Sequence, residues 1–393
     1  MNVRSVEDLD VRGKRVLVRE DLNVPMVGGT IVDYTRVDGA IPTLKRLIER
    51  GGRVIVISHL GRPDGKPDPA LSLRPLVPAL SERLGVEVAF AADCVGDVAR
   101  RAVDALCDGD VLLLENLRFH PEEERNDPAF ARQLADLGDL YVNDAFGSAH
   151  RAHASTEGVA HLLPHAAGLL MLAELDALAR VTENPAKPYV CVIGGAKIKD
   201  KIGVFNHLME HVDAFCIGGG MANTFLAALE VNVGKSLRDA DLEPARYVLN
   251  LAKLRKVELH LPNDAVVATS LDDPNPKVVA IGNVGDEVMI LDIGPETAKA
   301  YGGAIEQART IVFNGPMGVY EKPAYRQGTK AVGEAIARAT ANGAVSVVGG
   351  GDAAAAAHLL GFADRMTHVS TGGGATLEFL EGKTLPGVAA LES

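Results

Sequence analysis

Basic residues are the minority in this sequence: 40 lysines and arginines stand against 52 acids, a formal charge of −12. Such a field repels nucleic acid and anionic membrane, which excludes both as partners held by overall charge. Any anion must be bound by a local basic pocket. Long apolar runs are missing too. No stretch approaches the ~18 residues of a membrane span, and Met1–Asp10 mixes Arg4, Glu7 and Asp8 with apolar positions where a signal peptide has its apolar core; the chain reads as cytosolic. Cysteine is scarce: Cys94, Cys107, Cys191 and Cys216 show no C-x-x-C spacing, which speaks against structural disulfides and zinc. Cys191 and Cys216 lie in apolar strand-like runs, where a reduced thiol acts as a small hydrophobe. No repeat is evident, and Ala353–Ala357 is the one low-complexity tract, explained by helix propensity.

What is present is the balance of an ordinary globular protein, 47% hydrophobic and 23% charged. A length of 393 residues predicts two or three domains. The commonest local pattern is a short β-branched run that ends in glycine, asparagine or aspartate and leads into a helix-like stretch, the signature of parallel α/β sheets. Such runs occur at 15–19, 53–58, 86–90, 111–115 and 140–143, then at 189–193, 214–217, 257–261, 265–268, 288–291, 310–313 and 345–348. Between the two groups, Gly168 to Val181 is apolar at helical spacing and runs into Thr182-Glu183-Asn184-Pro185-Ala186-Lys187-Pro188, whose prolines stop a helix. The domain boundary is expected there.

Ligands of open α/β sheets sit outside the carboxyl ends of the strands, so the residues just after each run matter most. In the first half these are Arg19-Glu20-Asp21-Leu22-Asn23, Ser58-His59-Leu60-Gly61-Arg62-Pro63, Glu115-Asn116-Leu117-Arg118-Phe119-His120 and Asn143 to His153, which includes Arg151. One surface arginine is usually just solvated. Arginines with neighbouring histidines at several strand ends of an acidic protein predict a pocket for a small phosphate-bearing molecule, since guanidinium forks match phosphate and carboxylate oxygens. Arg36, at the start of a helical stretch, is a further candidate.

In the second half the strand ends are rich in glycine. Gly194-Gly195 leads to Lys197 and Lys201, expected one turn apart on one helix face; Gly218-Gly219-Gly220, Asn314-Gly315-Pro316-Met317-Gly318 and Gly349-Gly350-Gly351-Asp352 follow later strands. The last opens onto an alanine-rich helix whose free amides suit an anion, with Asp352 placed for magnesium. A nucleotide phosphate chain fits these features together. Gly234-Lys235-Ser236 looks like the end of a P-loop, but position 229 is leucine, so no Walker motif exists. Gly349-x-Gly351-x-x-Ala354 fits a dinucleotide fingerprint, yet too little chain follows to complete that unit.

Nine blocks, REDLNVP (19–25), SHLGRP (58–63), ENLRFH (115–120), NDAFGSAHRAHAS (143–155), GGAKIKDK (194–201), GGGMANTF (218–225), FNGPMGVYE (313–321), GGGD (349–352) and STGGGA (370–375), resemble those of phosphoglycerate kinases in the family's order and span almost the whole chain. The resemblance implies two doubly wound parallel-sheet, Rossmann-like α/β domains facing across a hinge cleft. It divides the chain into a phosphoglycerate-binding domain (1–167), an interdomain helix (168–182), a nucleotide-binding domain (183–370) and a segment returning to the first domain (371–393). It implies a magnesium-dependent phosphotransferase with a carboxyl acceptor, exchanging 1,3-bisphosphoglycerate and ADP for 3-phosphoglycerate and ATP by in-line transfer with domain closure, in a monomer.

Carried over by position, Asp21 and Asn23 contact the glycerate, and His59, Arg62, Arg118 and Arg151 hold its non-transferred phosphate. Arg36 lies where the phosphoryl group moves and Lys197 meets it from the other domain, with the amides after Gly351 and the Gly373 turn completing the catalytic group. Lys201, Asn314, Gly349, Gly350 and Gly351 serve the nucleotide phosphates, Gly219 and Gly220 the adenine slot, Glu321 the ribose and Asp352 the magnesium ion. Two positions depart from the family pattern. Ala353 replaces a common serine or threonine, which removes a hydroxyl but keeps the backbone amides. Glu20 replaces an apolar residue, and strand alternation predicts that it points away from the anion pocket.

Overall fold

A computed structural model describes residues 3–392. Two six-stranded sheets carry the chain, each parallel throughout. The first contains β1 (Arg15–Arg19), β2 (Arg53–Ile57), β3 (Val88–Ala91), β4 (Val111–Leu114), β5 (Leu140–Asn143) and β6 (His165–Ala167), in the spatial order β3, β4, β2, β1, β5, β6. The second contains β7 (Tyr189–Ile193), β8 (Ala214–Ile217), β9 (Glu258–His260), β10 (Thr310–Asn314), β11 (Val345–Val348) and β12 (His368–Val369), in the order β9, β8, β7, β10, β11, β12. Helices cover both faces, so the central strands are buried throughout: every residue of β4, β7, β8 and β10 is, as are those after Arg15 in β1 and after Arg53 in β2.

The strand orders fix where ligands fit. In the first sheet the chain leaves β1 to one side through β2 and comes back to lay β5 on the other flank. The switch point therefore lies between the carboxyl ends of β1 and β5, and in the second sheet between those of β7 and β10.

The strands at 264–268 and 288–291 do not join the parallel pattern. Asp264–Ala268 instead forms the centre of a three-stranded antiparallel sheet between Lys277–Ala280 and Met289–Ile293. Their connections are too short to hold the crossover helix a parallel pairing needs. The helix expected at 168–181 runs Leu169–Thr182. No helix among the described residues is long and apolar enough to cross a membrane.

The chain divides into two compact units, one made of the chain up to Leu175 together with residues from Thr384 onward, the other of Asp176–Lys383. The division falls inside the Leu169–Thr182 helix. The return to the first unit begins at Thr384, later than Thr371, because the helix Gly374–Leu380 packs on the helix Ile202–Leu208 of the second unit. Beyond it, Gly387 N–H donates to Ala149 O at 2.8 Å.

Candidate functional site

At the switch point of the first sheet lies a polar cavity of ≈ 190 Å³. Asp21, Asn23, Arg36, His59, Arg62, Arg118 and Arg151 all line it, joined by Gly61, Gly147, Ser148 and His150. The ends of β1, β2, β4 and β5 supply all of these but Arg36, which stands at the second residue of the helix Thr35–Glu49. That helix starts where it does because the Asp33 carboxylate accepts from both the Thr35 N–H and its hydroxyl. Four guanidinium groups meet one carboxylate, Asp21, in the pocket of a protein that is acidic overall.

These groups are held by the loops around them. Arg36 pairs with Asp21. Asn23 Oδ1 accepts from Gly61 N–H at 2.8 Å, and the nearly buried Arg118 donates to Gly61 O at 2.9 Å, so the SHLGRP loop is tied to two other strand ends. A methyl group at Gly147 would collide with the Asp21 carboxylate, which is why that turn carries glycine.

Arg19 was not among the expected site residues, yet it sets the chemistry of one that was. It is 1% exposed and donates to Ser155 Oγ at 2.9 Å, to Glu20 O, and to His59 Nδ1 at 3.0 Å. A guanidinium can only donate, so His59 Nδ1 must be the bare acceptor and Nε2 must carry the proton. Burial, followed by the surrounding arginines, holds His59 well below the ordinary imidazole range. His59 is thus a neutral donor. His153 is likewise pushed down to about 3, by burial first and then by Arg118 and Arg19. The guanidinium charge of the pocket does not titrate in the neutral range.

Glu20 does not line the cavity. It is fully buried, both carboxyl oxygens lack a hydrogen-bond partner, and its neighbour Asp144 is buried as well. Burial first, then Asp144, keeps the Glu20 carboxyl protonated well above the usual range, with Arg19 pulling the other way. A folded state that binds this proton more tightly than the unfolded chain loses stability as pH rises above the unfolded value of about 4.3. Glu20→Gln, which mimics the protonated form, is therefore expected to be more stable than the parent at pH 8. The gap should close toward pH 4, changing by at most about 1.4 kcal/mol per pH unit. Thermal melts of both proteins across that range check this; a gap independent of pH refutes it.

In the second unit a larger cavity, ≈ 550 Å³, opens at the switch point of its sheet. Gly219, Gly220, Glu321 and Asp352 line it, and the antiparallel sheet supplies an apolar wall through Met289, Ile290 and Leu291 that the sequence reading did not assign. Lys201, Asn314 and Gly349 form a hydrogen-bonded cluster, with Gly350 close to the Asn314 amide. Lys201 Nζ donates to Asn314 O at 2.7 Å and to the Asn314 side chain, whose Nδ2 donates to Gly349 O at 2.8 Å. Burial pushes the Lys201 ammonium down to about 8, against the pull of Cys191 and Asp352.

The glycine turns owe their composition to one another. A Cβ at Gly219 would lie 2.7 Å from Gly195 O, one at Gly220 2.8 Å from Ala196 O, and one at Gly194 2.8 Å from Gly315 O. Gly350, at φ +96°, precedes the helix Gly351–Leu359, whose first turn carries Asp352. Lys197 and Lys201 do not share a helix face: the chain makes a 3-10 turn at Lys199–Lys201 and becomes α-helical only at Ile202. Ile198 N–H is drawn to Asp239 at 2.9 Å, and Lys197 is left exposed in the loop before the turn. Lys197, Gly351 and Gly373 line neither cavity. Gly373, at φ +52°, caps the helix Gly374–Leu380, where Thr376 lies close against Gly349.

The family profile described as phosphoglycerate kinase matches residues 6–383. The phosphoglycerate kinase of Moorella thermoacetica is 54% identical over 389 residues, 98% of each chain, and that of Pelotomaculum thermopropionicum 53% identical over 396 residues, 100% of this chain and 99% of the relative. Among solved structures, phosphoglycerate kinase from Coxiella burnetii matches with a TM-score of 0.91 at 42% identity, covering 99% of both chains. That from Pyrococcus horikoshii OT3 matches with a TM-score of 0.87 at 33% identity, covering 99% of this chain and 98% of its own.

Proposed function

The chain belongs to the phosphoglycerate kinase family, and from that premise we propose that it moves the acyl phosphate of 1,3-bisphosphoglycerate to ADP, reversibly, giving 3-phosphoglycerate and ATP. The observation that carries this reading is the convergence of Asp21, Asn23, Arg36, His59, Arg62, Arg118 and Arg151 on one basic pocket. In this reading His59, Arg62, Arg118 and Arg151 grip the phosphate that stays, while Asp21 and Asn23 meet the glycerate. Gly219 and Gly220 face the adenine, Glu321 the ribose, and Lys201 with the amides of 349–351 the phosphates.

Phosphoryl transfer needs little covalent help from a protein; positioning and charge neutralisation suffice. Arg36 and Lys197 supply positive charge on either side of the moving group, with the helix amides after Gly351 and the Gly373 turn beside them. Asp352 offers a single hard carboxylate oxygen on the nucleotide cavity, which fits magnesium held mainly by phosphates and water. Such an ion neutralises charge on the phosphoryl oxygens. The two substrates belong to different units, so transfer requires closure, and the Leu169–Thr182 helix, inside which the units divide, is the proposed hinge.

A coupled assay with 3-phosphoglycerate, ATP and magnesium tests the proposal. ADP formation is expected, and ligand binding without turnover would overturn it. Lys201 supplies a pH signature. Its charge is present below about 8 and lost above, so ADP affinity should fall as pH rises past that point, by up to about tenfold per unit. Calorimetric titrations between pH 7 and 9.5 should show this in the parent and not in Lys201→Met.

A further inference from the structure

We propose that Asp93, Cys94 and His120 form a binding site for a borderline divalent cation of the zinc class, separate from both cavities above. One ligand atom from each lies within 4.8 Å of the other two. Asp93 Oδ1 is 2.8 Å from His120 Nε2, and the same oxygen accepts the Cys94 N–H at 2.7 Å, which folds the thiol back beside the pair. The Phe130 ring, 5.2 Å from the imidazole, braces His120.

Donor chemistry and access agree. Sulfur, imidazole nitrogen and carboxylate oxygen make a mixed donor set that suits zinc, which would displace the thiol proton, and disfavours magnesium, which prefers oxygen alone. Around a tetrahedral zinc with ~2.0–2.3 Å bonds, ligand atoms sit roughly 3.3–3.8 Å apart, so donors up to 4.8 Å apart would close by about 1 Å while the Asp93–His120 pair, now at 2.8 Å, would part by about half an ångström to admit the ion. Cys94 is fully buried, while Asp93 and His120 are partly exposed and line a third cavity of ≈ 530 Å³. A fourth position can open toward that cavity. Glu115 lines it as well but is committed, accepting from Ser72 Oγ and from the Leu73 and Asn116 N–H groups.

The spacing rule for zinc looks for closely placed pairs in sequence. These ligands come from the ends of β3 and β4, neighbours in the sheet that are distant in the chain. His120 also follows Arg118 on one turn. A bound ion would therefore fasten the end of β3 to the segment that presents Arg118 to the anion pocket.

The test is titration of the metal-free, full-length protein with cobalt(II). A thiolate-to-cobalt charge-transfer band that saturates at one equivalent and is displaced by zinc is expected. Cys94→Ser should erase the band, His120→Ala should weaken binding at least about tenfold, and Cys107→Ser, which removes an exposed thiol, should change nothing. Failure of the unmutated protein to give the band, or a band that survives Cys94→Ser, overturns the proposal. Should Cys94→Ser fail to fold, X-ray absorption of the zinc-loaded unmutated protein decides: one sulfur neighbour supports the site, and a shell of nitrogen and oxygen alone refutes it.

Discussion

Arg36→Ala is expected to lower kcat by about 10²–10³-fold, the range seen when one preorganised donor to a transition state is removed, while KM for 3-phosphoglycerate rises far less. The split follows from the pocket. In the proposed reading Arg62, Arg118 and Arg151, which line the same pocket, remain to hold the stationary phosphate, so ground-state binding is largely kept. Arg36 is spent differently: one arm of its fork is engaged by Asp21, which is 9% exposed, and the side chain as a whole stays 31% exposed with donors to spare. Removing it would lose the charge proposed to meet the moving group and would leave the Asp21 carboxylate in the pocket without its ion-pair partner. Arg36→Lys should rescue poorly, because a point charge cannot serve Asp21 and a reactant oxygen with the same geometry. Steady-state kinetics in both directions decide the matter; a change confined to KM would make Arg36 a binding residue only.

Gly194→Ala is expected to destabilise the second unit by about 3 kcal/mol or more, the upper range for overpacking. At this unit's size that is a fall in Tm of roughly 6–12 °C. The added Cβ would sit 2.8 Å from Gly315 O and closer still to Pro316 O, both backbone atoms with no rotamer to yield. Gly194 N–H already donates to Asn314 O at 3.1 Å, so the strand ends of β7 and β10 cannot part without losing that bond as well. Nucleotide binding should vanish while phosphoglycerate binding by the first unit persists. Gly303→Ala provides the opposite sign: exposed in the helix Pro295–Glu306 with nothing near its Cβ position, it should stabilise by about 0.5–1 kcal/mol. Calorimetric melts of the two variants check both; an unchanged Tm for Gly194→Ala removes the argument.

Much of this could be read before any coordinates, for a specific reason. Runs such as Val16–Val18 and Tyr189–Ile193 are buried on both faces, so their apolar stretch marks the strand to within a residue at each end. Once the strands were known, the rule that ligands gather at carboxyl ends picked out the residues that line the anion pocket. The short edge strands β6 and β12 left no such trace, since His-Ala-Ala and His-Val carry no pattern.

Charge near the site was harder to read. Arg19 and Glu20 stand in the same motif as Asp21, and all three are nearly or fully buried, yet Asp21 alone lines the pocket. Which way each points depends on Ser155, His59 and Asp144, residues brought in from other strand ends. The glycines posed a related difficulty. Gly194, Gly219 and Gly220 were legible as close backbone approaches, but the partner for much of that closeness is another glycine turn, which local sequence does not disclose. Lys197 and Lys201 were placed on one face by counting, and the turn at Lys199–Lys201 broke the count.

The first unit takes its last piece from the far end of the chain. Asn143 Nδ2, at the end of β5, and Ala149 O, between the pocket residues Ser148 and His150, find partners in Gly387. During synthesis on the ribosome the nascent first unit must therefore wait, with Ala149 O lacking this partner, until the segment from Thr384 has emerged behind the whole of Asp176–Lys383. A chain cut short by these last residues would keep every side chain of the pocket and still lack the clasp on Ala149, which follows the pocket residues Gly147 and Ser148.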